Sequence, residues 1–124
     1  MTTLTQDAIE RFFAEDDGQP VVMLNLVRFQ PDGGRALYEQ YLHLAGPALG
    51  RLGAEILFAG DGLTPLAANA GEEWDAVALV RYPSRRAFAD LLADPDYQKA
   101  DPLRVSALSA AVLQPLSALG GAGS

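Results

Sequence analysis

The sequence contains no cysteine and one histidine, His43, and these absences exclude several kinds of site. Without cysteine there is no disulfide framework, no thiolate metal site and no cysteine nucleophile. A single histidine provides neither a metal-binding cluster nor the partners of a serine triad. The glycines also lack the spacing of a phosphate-binding loop. We therefore expect no metal and no cofactor, and any catalysis is expected to rely on Asn, Tyr and Arg.

Basic residues are also scarce, since nine Lys plus Arg stand against sixteen Asp plus Glu and give a net charge of −7. That charge repels a phosphate backbone, so nucleic acid is not expected as a partner. No segment approaches the ~18 consecutive apolar residues that cross a bilayer, and no secretory signal precedes the domain. We expect no membrane association, and the absence of cysteine favours the cytoplasm.

Hydrophobic residues make up 49% of the 124 residues, which is enough to form the core of one folded domain. A domain of this size buries ~65% of its unfolded surface. We assign residues 1–19 to an N-terminal helical extension, residues 20–117 to the main domain and residues 118–124 to a flexible tail.

Apolar periodicity predicts a strand followed by a helix twice in the main domain. The first unit is a strand over 21–29 with a helix over 35–52, and the second is a strand over 74–82 with a helix that Ser84 caps. A lead helix over 6–15, strands over 54–60 and 109–116, and a short helix over 97–108 complete the prediction.

This order predicts an α+β fold, the ferredoxin-like βαββαβ, with a four-stranded antiparallel sheet of mixed order 4-1-3-2 and an extra N-terminal helix. We expect the first and third strands to be neighbours, and to run parallel within this sheet. Both long helices are expected on one face. The opposite face is still apolar, so we predict a homodimer in which two such faces pack together.

Four short segments carry a family resemblance. They are VVMLNLVRF at 21–29, LVRYPS at 79–84, DPDY at 94–97 and RVSAL at 104–108. Taken with the order of strands and helices, they resemble the dimeric α/β-barrel superfamily, and within it the family called domain of unknown function 1330. The resemblance spans most of residues 20–117. It implies a fold and a dimer, because the family has no established activity.

The chain is more distantly similar to haem-degrading monooxygenases of the same superfamily. These enzymes use an Asn on the first strand, an aromatic residue ending the third, and an axial His after the second helix. The matching positions here are Asn25, Tyr82 and approximately Asp101. The axial ligand is therefore missing, and the resemblance implies no haem site. His43 is expected to point to solvent from its helix.

Asn25 is the first candidate site residue, because an amide among Val, Leu and Met must find hydrogen-bond partners or cost about 1 to 3 kcal/mol. It either points into a ligand pocket or bonds to backbone inside the core. Ala76 and Ala78, on the same predicted face, leave space for a pocket. Four tyrosines either converge on that pocket or are core aromatics, with Tyr82 the one we favour. The other three are Tyr38, Tyr41 and Tyr97.

Three arginines complete the candidate set. Because Arg28 and Arg81 end strands that are expected to be parallel neighbours, they predict an anion site or an ion-pair site in which Glu55 or the partner subunit supplies the negative charge. Arg104 is a further pocket candidate, unless it bonds Asp94, Asp96 or Asp101 to fix the short helix.

The sequence thus predicts a small-molecule-binding dimeric α/β-barrel protein. Superfamily analogy alone implies a cofactor-independent oxygenase or isomerase that acts on a polar aromatic molecule. The alternative is a non-catalytic structural or ligand-binding homodimer. A cavity lined by Asn25 and Tyr82 favours the first hypothesis, and a close-packed interior favours the second.

Overall fold

Eight elements follow one another in the computed structural model, which describes residues 4–117. They are α1 (Gln6–Ala14), β1 (Val21–Phe29), α2 (Gly34–Arg51), β2 (Glu55–Asp61), β3 (Ala76–Tyr82), α3 (Arg85–Ala93), α4 (Pro95–Ala107) and β4 (Leu108–Leu116). The predicted tail at 118–124 lies outside the described residues. Within residues 4–117, no helix combines the length and the apolar character that crossing a membrane requires.

Polar side chains fix where three of the helices begin. The hydroxyl of Thr5 accepts a hydrogen bond from the Ala8 amide at 3.2 Å, and that of Ser84 accepts one from Ala87 at 3.1 Å. Asp94 caps α4 by accepting from the amide of Asp96 at 2.9 Å. Since a capping side chain satisfies an amide that the helix leaves unpaired, these residues fix the first turns of α1, α3 and α4, and Asp94 separates α4 from α3.

The sheet order β2-β3-β1-β4 is the predicted one, and every pair of neighbours is antiparallel. The expectation that β1 and β3 run parallel is wrong, since Val21 lies opposite Tyr82 and Val27 lies opposite Ala76. The reason is topological. A right-handed crossover makes β1 parallel to β2, but β2 and β3 form a hairpin, so β3 is reversed relative to β1.

The two faces of the sheet have different surroundings. The face that carries Val21, Met23, Val80 and Tyr82 is covered by the helices, and these four side chains are buried. Neighbouring β1 residues alternate to the other face, which has no covering element within residues 4–117. Apolar side chains on that outer face include Val22, Leu24, Leu26, Phe58, Leu79 and Val112.

One glycine at the start of α2 is required by packing. A Cβ placed on Gly34 would lie 2.6 Å from the carbonyl oxygen of Ala107, which is backbone that cannot easily move. Gly50, near the other end of the same helix, has nothing within 4 Å of such a Cβ. Substitutions at these two positions therefore distinguish a steric requirement for glycine, at Gly34, from the effect of helix propensity, at Gly50.

We expect Gly34→Ala to lower the free energy of unfolding by about 1 to 3 kcal/mol, because overpacking displaces the α4–β4 junction. Gly50→Ala, the matched control, should raise it by up to ~1 kcal/mol, because alanine favours the helix. Urea unfolding followed by circular dichroism measures both changes. Equal stability of the two variants would contradict this packing.

Candidate functional site

An open cleft of about 1000 Å³ lies between the helices and the centre of the sheet. Its floor on the sheet includes small side chains from three strands, namely Ala59, Ala76, Ala78 and Ala111. Cross-strand pairing places Ala59 beside Ala78, so the methyl groups are adjacent rather than scattered. Because these side chains are short, the helices above them leave a gap instead of a close-packed core.

Asn25 lies at the centre of this floor, on β1 between Ala78 of β3 and Leu113 of β4. Its Nδ2 donates one long hydrogen bond, 3.4 Å, to the carbonyl oxygen of Met23. Among the described residues the side chain has no other hydrogen bond. One N–H and the amide oxygen are therefore available to a molecule in the cleft.

Tyr82 lines the cleft at the end of β3 and is 5% exposed. Its ring packs edge-on against Phe88, with ring centroids 5.2 Å apart. The hydroxyl has no hydrogen-bond partner within residues 4–117, and no fully buried side-chain oxygen or nitrogen there is left unpaired. Together these observations mean that the hydroxyl is open to the cleft. Tyr82 therefore presents a hydroxyl beside the face that carries Asn25.

The other three tyrosines form one cluster across α2 and α4, and all line the cleft. The ring of Tyr41 lies 5.4 Å from that of Tyr38 and 6.0 Å from that of Tyr97. The hydroxyl oxygens of Tyr41 and Tyr97 are 3.1 Å apart and share a hydrogen bond. This pair of hydroxyls forms a polar point on an otherwise aromatic wall.

Burial keeps these phenols neutral. It is the largest influence on the pKa of each of the four tyrosines and raises every one above the usual 10.0. For Tyr41 the adjacent Tyr97 raises the pKa further, both by its charge when ionised and through their shared hydrogen bond. At neutral pH the phenols are therefore hydrogen-bond donors rather than bases, which suits them to stabilising a developing oxyanion.

The predicted site between Arg28 and Arg81 does not form. The antiparallel register places Arg81 opposite Val22, six residues before Arg28 and so about 20 Å away along the strand. Arg81 lies 4.0 Å from Glu55, the acidic partner that the sequence suggested for it. The error follows directly from the assumed parallel direction.

Arg28 instead holds the loop between β2 and β3. Its Nη2 donates to the carbonyl oxygens of Gly71 and Glu73, each at 2.7 Å. The guanidinium also lies 4.8 Å from the centre of the Trp74 ring. These contacts give Arg28 a structural role outside the cleft.

Arg104 does not bond the aspartates near the start of α4. Arg51 of α2 occupies that position, with Nη2 2.8 Å from Asp94 and 3.3 Å from Asp96. This lowers the pKa of Asp94, chiefly through the hydrogen bond from Arg51. Arg104 lines the cleft, as does Asp101.

Two features of the rim were not predicted from the sequence. Arg35 and Asp61 form an ion pair of 3.0 Å that joins α2 to the end of β2. The lead helix also reaches the cleft, and it is fixed to α3 by Arg85, whose Nη1 donates to the Phe12 carbonyl oxygen at 3.1 Å. No sequence signal links residues so far apart, although Thr5 did predict the helix itself.

The residues that the structure describes contain no group of three or more His, Asp or Glu that could hold a metal ion. His43 is exposed on α2 and does not contribute to the cleft. The hydrogen-bond donors that surround the cleft are amide, phenol and guanidinium groups, which can bind the oxygen atoms of an organic molecule, and Glu39, Asp61 and Asp101 add carboxylates.

Helices on one face of an antiparallel β2-β3-β1-β4 sheet define the ferredoxin-like fold of dimeric α/β-barrel proteins. Within that class, the chain belongs to the family described as domain of unknown function DUF1330, whose sequence profile matches residues 33–114.

Solved structures share this fold. The RPA0582 protein of unknown function from Rhodopseudomonas palustris is 33% identical, with a TM-score of 0.87 over 94% of this chain and 95% of that one. A dimeric ferredoxin-like protein of unknown function from Jannaschia sp. CCS1 is 12% identical, with a TM-score of 0.63 over 80% and 99%. Hydroxynitrile lyase from Passiflora edulis is 13% identical, with a TM-score of 0.63 over 80% and 93%. The chain has no significant match among curated proteins.

The raised tyrosine pKa values predict how the protein behaves in alkali. In the unfolded chain the phenols lose protons near pH 10, whereas the folded protein retains them, so the free energy of unfolding should fall as the pH rises above 10. Absorbance at 295 nm should stay flat past pH 10 and then rise together with loss of the circular dichroism signal. Gradual ionisation near pH 10 in a still-folded protein would contradict the buried cluster.

Proposed function

We propose that this protein is a homodimer that binds a small, polar aromatic molecule in the cleft of each protomer. The observation that supports this most strongly is the position of Asn25, whose incompletely bonded amide lies over a floor of alanines. The unpaired atoms of this amide are reachable from the cleft, because no fully buried side-chain nitrogen or oxygen within residues 4–117 lacks a hydrogen bond. A bound ligand supplies the missing partner.

The shape and lining of the cleft indicate the kind of molecule. About 1000 Å³ matches the upper end of the range of small-molecule pockets, which are mostly apolar with a few placed polar groups. The aromatic side chains of Tyr38, Tyr41 and Tyr82 in the lining favour a flat aromatic ligand. The hydroxyl of Tyr82 and the amide of Asn25 are available to hold its oxygen atoms.

The reaction class we propose is cofactor-independent chemistry through an enolate or phenolate, as in an oxygenase or isomerase. Tyr82 would donate a hydrogen bond to the oxygen that acquires negative charge, and burial of the neutral phenol strengthens that interaction. Asn25, whose partner on β3 is Ala78, four residues before Tyr82, would bind a second oxygen atom of the ligand. Fold analogy adds only that this architecture also occurs in a lyase.

Binding without chemistry is a second candidate, favoured by the tyrosine environment. Because their pKa values are raised, the phenols do not remove protons at neutral pH. Carboxylates that line the cleft, such as Glu39 and Asp61, remain as bases, but Asp61 is paired with Arg35. Recovery of an unchanged ligand after prolonged incubation would favour this candidate, and product formation would favour the first.

NMR titration tests the binding site directly. We expect at least one of 2-naphthol, 4-hydroxyacetophenone and 4-hydroxybenzamide to shift the side-chain amide signals of Asn25. Asn25→Ala should weaken that binding by roughly 10-fold, because one hydrogen bond is lost. The matched control is Asn69→Ala, which changes the only other asparagine, exposed in the β2–β3 loop. Unchanged affinity in Asn25→Ala would contradict the site.

The dimer part of the proposal rests on the outer face of the sheet. Its apolar residues, including Leu24 of β1 and Leu79 opposite it, have no cover within residues 4–117. A structural neighbour with this fold is described as dimeric. Two such faces packed together would remove both from water.

We expect Leu24→Asp to raise the dimer dissociation constant by roughly 100-fold or more, because it places a charge in an apolar interface. Leu44→Asp is the matched control, since Leu44 is 48% exposed on α2 and does not face the sheet. Sedimentation velocity measures both, and circular dichroism checks that each variant folds. A wild-type monomer at micromolar concentration would contradict the dimer.

A further inference from the structure

Arg104 differs from four other arginines of the fold in its lack of a partner. Arg28, Arg35, Arg51 and Arg85 each donate a hydrogen bond at 3.1 Å or less. Arg104, in the last turn of α4, is half-buried and lines the cleft. Within residues 4–117 it makes neither a hydrogen bond nor an ion pair. A half-buried cation without a counter-charge indicates that a negative group belongs beside it.

Arg104 lines the same cleft as the cluster of Tyr38, Tyr41 and Tyr97. Its positive charge lowers the pKa values of Tyr38, Tyr41 and Tyr97, against the larger effect of burial. Asp101 also lines the cleft, but its effect reaches only Tyr97 and is smaller there than that of Arg104. At the phenol hydroxyls the positive charge therefore outweighs the negative one.

The tyrosine hydroxyls add a donor at the same place. Tyr41 and Tyr97 have two O–H groups between them, and their mutual hydrogen bond of 3.1 Å uses one. The second O–H remains to be donated to a ligand. Arg104 and this hydroxyl pair can together donate hydrogen bonds to a carboxylate, and those from the planar guanidinium are charge-assisted.

We infer that Arg104 and the Tyr41–Tyr97 pair form an anion anchor, and that the molecule bound in the cleft is an aromatic compound with one carboxylate. The inference rests on the proposed function and names its ligand class. A phosphate ester fits less well, because Arg35, the other arginine of the cleft, is paired with Asp61 and the chain carries a charge of −7. A neutral ligand would leave the guanidinium without its counter-charge.

Calorimetry with matched acids and amides tests the anchor. The probes are 4-hydroxybenzoate against 4-hydroxybenzamide and 2-naphthoate against 2-naphthamide, at pH 7. We expect at least one acid to bind the wild-type protein roughly 10- to 100-fold more tightly than its amide. Arg104→Gln should abolish this preference and leave the affinity for the amide nearly unchanged. Arg35→Gln, the matched control, should keep the preference.

The possible outcomes distinguish a failure of the anion anchor from a failure of the proposed binding site. Amides that bind as tightly as their acids to the wild-type protein would overturn the anchor and leave the proposed binding site standing. A preference that survives in folded Arg104→Gln would overturn the role of Arg104. Binding of none of the four probes at millimolar concentration would overturn the anchor and the binding function together. The wild-type comparison needs no variant, so a failure of Arg104→Gln to fold does not prevent the test.

Discussion

The small side chains on the helix-facing side of the sheet are the constraint from which the site follows. Because Ala76, Ala78 and Ala111 have short side chains, a gap remains between the centre of the sheet and α2 and α4, which pack on each other. The polar groups around that gap are then partly desolvated without being paired. The incompletely bonded amide of Asn25 and the unpaired guanidinium of Arg104 both border this gap.

Much of the fold was predictable because local patterns determine it. Alternation of apolar residues identified the strands and the faces of β1 and β3, and Thr5 and Ser84 marked where helices begin. The direction of a strand leaves no trace in such patterns. The order of the elements does determine it, because the β2–β3 hairpin reverses β3 relative to β1, and the expectation that Arg28 and Arg81 lie together overlooked this reversal.

Contacts between distant residues were not predictable. Arg51 reaches Asp94 across 43 positions, and only the packing of α2 against α4 brings them together. Because Arg51 pairs with Asp94 and Asp96, Arg104 does not pair with them and lines the cleft instead. The surface ion pairs therefore determine which arginine lies at the site. The candidate residues could be named from sequence, but their partners could not.

The two faces of the sheet are thus proposed to have different functions. The outer face joins protomers, and the inner face encloses a ligand. The most direct test of the enclosed site is a crystal structure of the protein with 6-bromo-2-naphthoate, located by anomalous scattering from bromine. We predict that the naphthalene ring lies over Ala78 and that the carboxylate of the ligand lies at Arg104. A close-packed interior, with bromine found only on the outer surface, would contradict it.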